Sequence, residues 1–123
     1  MKIWVFLAIT FFVVPAPIVA ASEPKFPHRV LYVGNTQNKR TEEVAQFLKK
    51  HFANVSVVDR VKFTPADAKE ADVVLLDWSQ SDSQLAKTPS PLGKIEEWST
   101  PTVLLNSAGL LMAGQWQIIG GAG

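Results

Sequence analysis

The sequence contains no cysteine. This absence excludes disulfide bonds, thiolate metal sites, a cysteine nucleophile and lipid attachment through cysteine. Histidine is scarce as well: His28 and His51 are the only two, and they are far apart in the chain. Because a protein metal site usually needs several such ligands at short or helical spacing, no metal site is predicted. The folded part of the chain must therefore be stabilised by its apolar core.

Excess charge of either sign is also lacking, since 12 basic residues stand against 11 acidic ones. One of the basic residues, Lys2, precedes the apolar run Ile3–Val14, and small residues follow near position 21. This pattern predicts a secretory signal peptide at residues 1–21. The apolar run is shorter than the roughly 18 to 20 residues that a membrane-spanning helix needs.

We therefore expect export to the periplasm or the extracellular space. Membrane contact is expected only through an uncleaved signal segment. Removal of Lys2 leaves equal numbers of basic and acidic residues. No nucleic-acid partner is expected, because nucleic-acid binding requires an excess of positive charge.

Beyond the signal, a proline-containing linker is predicted at residues 22–28 and a single domain at 29–123. Apolar runs predict strands over residues 29–33, 55–58, 71–77, 102–105 and 116–119. Helical spacing of apolar residues predicts a first helix that buries Val44, Phe47, Leu48 and Phe52. Shorter helical segments are predicted over residues 64–69, 92–98 and 107–113. The alternation predicts an α/β domain with a mostly parallel five-stranded sheet, covered by helices on both faces.

Ligands of open parallel sheets bind beyond the carboxyl ends of the strands. This rule selects three loops, at residues 34–40, 77–84 and 106–109. The first loop has the glycine, amide and hydroxyl groups needed to hold an anion. The alternative is that Thr36 or Asn38 caps the helix that follows. It contains neither a Gly-x-Gly-x-x-Gly motif nor a P-loop. The candidate ligand-binding residues are Gly34, Asn35, Thr36, Asp77, Trp78, Asn106, Ser107 and Gly109.

The first of these loops is similar to the phosphate loop of flavodoxins. The similarity covers residues 34–38 and continues into the helix at Thr41, Ala45 and Leu48. It departs from the family pattern at Gly34 and Lys39, where flavodoxins have other residue types. The resemblance implies a flavodoxin-like fold and FMN as an alternative ligand, with Trp78 as the aromatic residue that would stack on it.

The segment 101–109 resembles the strand and turn that carry the nucleophile in class I glutamine amidotransferase-like proteins. This flavodoxin-like superfamily, which includes the ThuA-like group, presents a thiol in a Gly-x-Cys-x-Gly elbow. Here Leu105 stands at the first glycine, Ser107 stands at the cysteine and Gly109 matches. The family's histidine and acid follow the elbow, whereas no His, Asp or Glu follows Ser107. A hydroxyl nucleophile needs such a base, so no complete triad is expected.

These observations predict a non-catalytic ligand-binding or interaction domain that needs no cofactor. Its partner is a small molecule or a protein that the sequence does not identify. One alternative is a hydrolase of a carbohydrate or amide that uses Ser107 or Asp77, and another is an FMN-binding protein. The long loop Trp78–Gly93 is expected to be functional or mobile.

The C-terminal segment Trp98–Gly123 carries no charged side chain. A doubly wound sheet needs a polar-faced helix after its last strand to cover its apolar face. We therefore expect that the C-terminal helix of the three-layer fold is missing. The corresponding hypothesis is that the chain is truncated or incomplete at its C-terminus.

Overall fold

The computed structural model describes residues 23–78 and 89–118. The predicted signal peptide, most of the loop that begins at Trp78, and the last five residues lie outside the described residues. Four strands are described: β1 (Phe26–Gly34), β2 (Phe52–Asp59), β3 (Val73–Trp78) and β4 (Thr102–Asn106). Two α-helices accompany them, α1 (Lys39–His51) and α2 (Ala108–Gln115). Short 3-10 turns lie at Pro65–Ala68 and Ile95–Glu97.

The four strands form one parallel sheet in the order β2-β1-β3-β4. The chain moves from β1 to one side to form β2 and then crosses to the other side to form β3. The order therefore reverses between β1 and β3, at the carboxyl edge of the sheet. The α/β class and the parallel sheet are confirmed, and this order is compatible with a flavodoxin-like fold.

Helix α1 begins at the cap residue Asn38, whose side-chain oxygen accepts a hydrogen bond from the Arg40 amide. The buried side of the helix consists of Thr41, Ala45 and Leu48. Phe47, predicted to lie on that side, is 58% exposed. The buried side of the helix contains Thr41 and the residues four and seven positions after it. Phe47 lies next to this side, and its exposure follows from that position.

The core has two parts because the sheet is covered on two faces. On one face, Val30 and Tyr32 of β1 pack with Leu48 of α1. On the opposite face the core is formed by β1, β3, α2 and the connecting segments, with Leu31, Val33, Phe63, Ala68, Val74, Leu76, Trp78, Leu92, Ala108, Leu111 and Met112 as its buried members. Burial on both sides accounts for strands that are apolar along most of their length.

The predicted fifth strand is not formed by residues 116–118. The amide of Trp116 donates to the Met112 carbonyl at 2.8 Å, and its indole Nε1 donates to the Gly93 carbonyl at 2.9 Å. Gln117 then has a φ of 51°, which is incompatible with strand backbone. The described part of the sheet therefore has four strands, and Ile119 lies outside the described residues.

Two further boundaries differ from the sequence prediction. Strand β1 begins at Phe26, inside the predicted linker, where the rings of Phe26 and Phe52 lie 5.7 Å apart. The helix predicted after Thr64 is a single 3-10 turn, although the expected capping box between Thr64 and Asp67 is present. Among the described residues, no helix has the length and apolar character needed to cross a membrane.

Candidate functional site

The carboxyl ends of all four strands meet at one edge of the sheet, as parallel pairing requires. Gly34 lies opposite Asp59 in the register of β1 and β2, and Trp78 lies opposite Asn106 in that of β3 and β4. The structure therefore brings the first and third selected loops to the same edge as Asp77. Of the middle loop, Asp77 and Trp78 alone are described.

Asp77 lies at the centre of this edge and is 4% exposed. Its Oδ2 atom accepts hydrogen bonds from the Tyr32 hydroxyl at 2.5 Å and from Arg40 Nε at 2.8 Å. Its Oδ1 atom accepts from Asn106 Nδ2 at 2.7 Å. One carboxylate therefore connects β1, α1, β3 and β4, and three donors compensate its loss of water.

Tyr32 is fully buried beside this carboxylate. Burial, followed by the hydrogen bond to Asp77 and the charge of Asp77, raises the pKa of the Tyr32 hydroxyl above its usual range. The phenol consequently stays protonated and remains a donor. With both oxygens engaged and almost no exposure, Asp77 has the geometry of a structural carboxylate and not that of a nucleophile or general base.

The loop after β1 uses its polar groups internally. Thr36 donates to Asp59 Oδ2 through its amide at 3.0 Å and through its hydroxyl at 2.6 Å. The Gln37 amide donates to Asn35 Oδ1 and the Asn38 amide donates to the Asn35 carbonyl, each at 3.0 Å. Of the two interpretations left open by the sequence, the helix cap at Asn38 is confirmed. These amides are not available to cradle an anion.

Gly34 and Gly109 have different surroundings. A Cβ atom on Gly34 would lie 2.9 Å from Tyr32 Cε1 and 3.1 Å from Thr41 Oγ1, so glycine permits the close packing of β1 against its neighbours. A Cβ atom on Gly109 would have no atom within 4 Å. Gly34 is therefore needed for packing beside Tyr32, whereas no close approach requires glycine at position 109.

The turn from β4 into α2 contains the proposed elbow. The residue with the left-handed backbone is Asn106, with a φ of 56°, whereas Ser107 has helical angles of φ −67° and ψ −10°. Ser107 is 4% exposed. Among the described residues, neither a histidine nor a carboxylate is hydrogen bonded to the Ser107 side chain. The left-handed conformation places the Asn106 amide on Asp77 and does not present the Ser107 hydroxyl to solvent.

Neither histidine lies near this turn. His28 lies in the first part of β1 and His51 ends α1, so both lie towards the amino edge of the sheet. The His51 ring contacts Phe47, with ring centroids 4.7 Å apart. The two histidines therefore provide no base for a nucleophile at the carboxyl edge.

The flavodoxin resemblance implies that Trp78 would stack on FMN; in the structure its side chain belongs to the core and is 7% exposed. The guanidinium carbon of Arg60 lies 4.7 Å from the centroid of the Trp78 ring, a cation–π contact. The Arg60 amide also donates to the Gly34 carbonyl at 2.9 Å. Arg60 thus covers the ring that was expected to receive a ligand.

A small cleft opens beside Asp77 at this edge. Its volume of about 10 Å³ accommodates roughly one water molecule. The Arg40 side chain is 45% exposed there while its Nε remains bound to Asp77. The residues that line the cleft are Asn35, Asn38, Arg40, Thr41, Arg60 and Asp77.

Sequence reasoning selected Asn35 and Asp77 but missed Tyr32, Arg40 and Arg60. The one signal for Arg40 in the sequence is its position in the first turn of a helix that follows a selected loop. The described residues contain no group of three or more His, Cys, Asp and Glu side chains that could hold a metal ion. Comparison of the chain with protein-family models, curated proteins and solved structures found no match.

Proposed function

We propose that this protein is a non-catalytic domain that binds a small ligand at the carboxyl edge of its sheet. The observation that supports the proposal is the network centred on Asp77. It holds Tyr32, Arg40 and Asn106 in one arrangement through contacts within the protein alone. A site ordered in advance loses less conformational entropy on binding, which favours recognition.

The hydrolase alternative has less support in the geometry. Ser107 is buried, has ordinary helical backbone angles and donates no hydrogen bond to a described histidine or carboxylate. Both oxygens of Asp77 already accept hydrogen bonds. A nucleophile needs a base within hydrogen-bonding reach and access to substrate.

The FMN alternative also lacks a specific supporting contact in the described part of the chain. The amides of Thr36, Gln37 and Asn38 donate to protein oxygens, so they are engaged where a flavin phosphate would need them. Trp78 is buried under Arg60. The binding function is therefore proposed without a cofactor.

The proposal includes a three-layer, flavodoxin-like fold with resemblance to class I glutamine amidotransferase-like proteins. The observed strand order supports the fold, and the segment 101–109 carries the resemblance. Export by the secretory route is also proposed, on the basis of the pattern at residues 1–21.

Backbone amide NMR with a small-compound library tests the binding function. The library contains neutral, cationic and anionic compounds, and the full chain is labelled with nitrogen-15. Bound compounds are expected to shift the amides of residues 34–41, 60 and 106–109, leaving those at the amino ends of the strands unchanged. Shifts confined to other surfaces, or none from any compound, would contradict the proposal.

A further inference from the structure

We infer that β4 pairs with β4 of a second copy of this chain, in antiparallel orientation about a two-fold axis at Val103, so that both copies share one continuous sheet. This inference goes beyond the proposed binding function and does not depend on it. It follows from three features of the molecule: an unprotected strand edge, a helix that is apolar on every side, and a register in which the strand edge complements its own copy.

Strand β4 is an edge strand in the described part of the chain, because β3 is its only neighbour there. Soluble proteins usually protect such an edge with charged residues, proline or a bulge, since its outward N–H and C=O groups can pair with another strand. The sequence of β4, Thr-Val-Leu-Leu-Asn, contains no charge and no proline. Val103 is 46% exposed in the middle of this strand. These properties are those of an edge that pairs with a further strand.

The hydrogen bonds to β3 identify the groups of β4 that point outwards. The Pro101 carbonyl accepts a hydrogen bond at 2.9 Å from the Val74 amide of β3, and the Ser107 amide donates to β3 at 2.9 Å. The backbone groups of successive strand residues point to opposite sides. The odd-numbered residues of β4 therefore bond to β3, and the backbone groups of Thr102 and Leu104 point outwards.

An antiparallel second copy satisfies these outward groups when Val103 lies opposite Val103 of that copy. Thr102 then lies opposite Leu104 of the second copy, and Leu104 lies opposite its Thr102. Each of these pairs exchanges two N–H···O bonds, and the Val103 pair between them is of the non-hydrogen-bonded kind. The pairing therefore uses the outward backbone donors and acceptors of both residues.

Helix α2 is a second, independent observation. Its sequence, Ala-Gly-Leu-Leu-Met-Ala-Gly-Gln, carries no charge and is apolar on every side before its last residue, which is typical of a helix that is buried all round. One side contacts β3 and β4, whereas Leu110 is 77% exposed. Because paired strands lie about 4.8 Å apart, a helix over the β3–β4 pair would lie about 10 Å from the same helix of the second copy, the ordinary distance for packed helices.

The absence of charge in this part of the chain favours a second copy as the occupant. In an interface with two-fold symmetry the same surface lies on both sides, so it must complement itself. Residues 98–118 carry no charged side chain, so none of them meets a like charge on its own copy. Antiparallel pairing also directs the two carboxyl edges to opposite sides of the dimer, and both candidate sites stay open.

Sedimentation equilibrium of the full chain tests the inference. One strand pair and one helix contact make an interface below the standard size, so a weak dimer with a Kd of about 10 to 300 µM is expected. Val103→Lys places two lysines opposite each other at the axis and should weaken the dimer at least about 10-fold. The matched control is Val61→Lys, at a valine that is 85% exposed and lies just after β2. This control should change the Kd by less than about twofold.

Cross-linking tests the register directly. The chain has no cysteine, so one introduced cysteine reports on its own position alone. The Cα atoms of a non-hydrogen-bonded antiparallel pair lie about 4.5 Å apart, a separation that a disulfide can span. In oxidised glutathione, Val103→Cys should therefore form a disulfide-linked dimer at least about 10-fold faster than Val61→Cys, because pairing raises the effective concentration of the two thiols.

Three results would overturn the inference. They are a monomer at every concentration up to about 1 mM, equal weakening by the two lysine substitutions, and equal cross-linking rates for the two cysteine variants. Val103→Cys keeps an apolar side chain of similar size, so the cross-linking comparison decides even if Val103→Lys fails to fold.

Discussion

Replacement of Asp77 by asparagine is the perturbation that should affect the carboxyl edge most strongly. The change keeps the size of the side chain but removes its charge, and it places an amide N–H₂ where one oxygen accepted a hydrogen bond. The new N–H₂ group would then face either Asn106 Nδ2 or the two donors Tyr32 and Arg40. The buried Tyr32 hydroxyl would then either lose its acceptor or keep a neutral acceptor in place of a charged one.

Hydrogen bonds to charged groups contribute about 1.5 to 3 kcal/mol, and a buried donor left unsatisfied costs about 1 to 3 kcal/mol. The half-exposed Arg40 can regain water, so its ion pair adds little. We therefore expect Asp77→Asn to lower the free energy of unfolding by about 1 to 3 kcal/mol. With a slope of about 2 kcal/mol per M, the urea midpoint would fall by roughly 0.5 to 1.5 M.

Urea unfolding followed by tryptophan fluorescence measures this change. The control, Asp72→Asn, alters a carboxylate that accepts from Arg29 at the exposed amino edge, and a smaller loss is expected. A double-mutant cycle with Tyr32→Phe should give a coupling of about 0.5 to 3 kcal/mol. The reasoning would be refuted if Asp77→Asn lost no more stability than Asp72→Asn, or if the cycle showed no coupling.

Three further results are expected. Gly34→Ala should lower the free energy of unfolding by about 1 to 3 kcal/mol, because its Cβ would overlap neighbouring side chains. Gly109→Ala should cause no loss of stability and a gain of at most about 0.5 to 1 kcal/mol. Equal urea midpoints for the two variants would contradict this expectation. Tyr32 is the single tyrosine of the chain, so an ultraviolet titration reports on it alone. Because the pKa of Tyr32 is raised, phenolate absorbance should appear only at a pH above 10.0, the ordinary pKa of tyrosine. The stability that Tyr32 contributes should be lost as the pH rises through its pKa in the folded protein. Ionisation of Tyr32 at pH 10.0 in the folded protein would be the opposite result. Hydrogen bonds from the Thr36 hydroxyl, and then from backbone amides, lower the pKa of Asp59 below 3.8. The stability that Asp59 contributes should therefore be present above pH 3.8 and be lost as the pH falls through its pKa in the folded protein. Thr36→Val should reduce this acid dependence in urea unfolding, and an unchanged dependence would argue against it.

Much of the fold could be predicted from local patterns. The Asn38 cap and the capping box at Thr64 depend on residues close together in sequence, where side-chain chemistry determines backbone conformation directly. The position of the candidate site was chosen by the rule that ligands bind where parallel strand order reverses. That rule correctly selected Asp77 and Asn106 as neighbours at one edge.

The partners of Asp77 could not be predicted, because they depend on how distant elements approach one another. Whether Tyr32 faces α1 or the opposite layer depends on the phase of β1, and whether Arg40 reaches β3 depends on the angle of α1. The position of the Trp78 ring could not be predicted for the same reason. Next to an acid at a strand end it resembled an exposed aromatic, but the fold buries it and places Arg60 over its ring.

A crystal structure of the protein with a library compound that shifts its amides tests the central claim most directly. We expect the compound at the carboxyl edge beside Asp77, with Tyr32 Oη, Arg40 Nε and Asn106 Nδ2 still donating to that carboxylate. A compound bound only at other surfaces, or an Asp77 carboxylate that has lost these three donors, would contradict it.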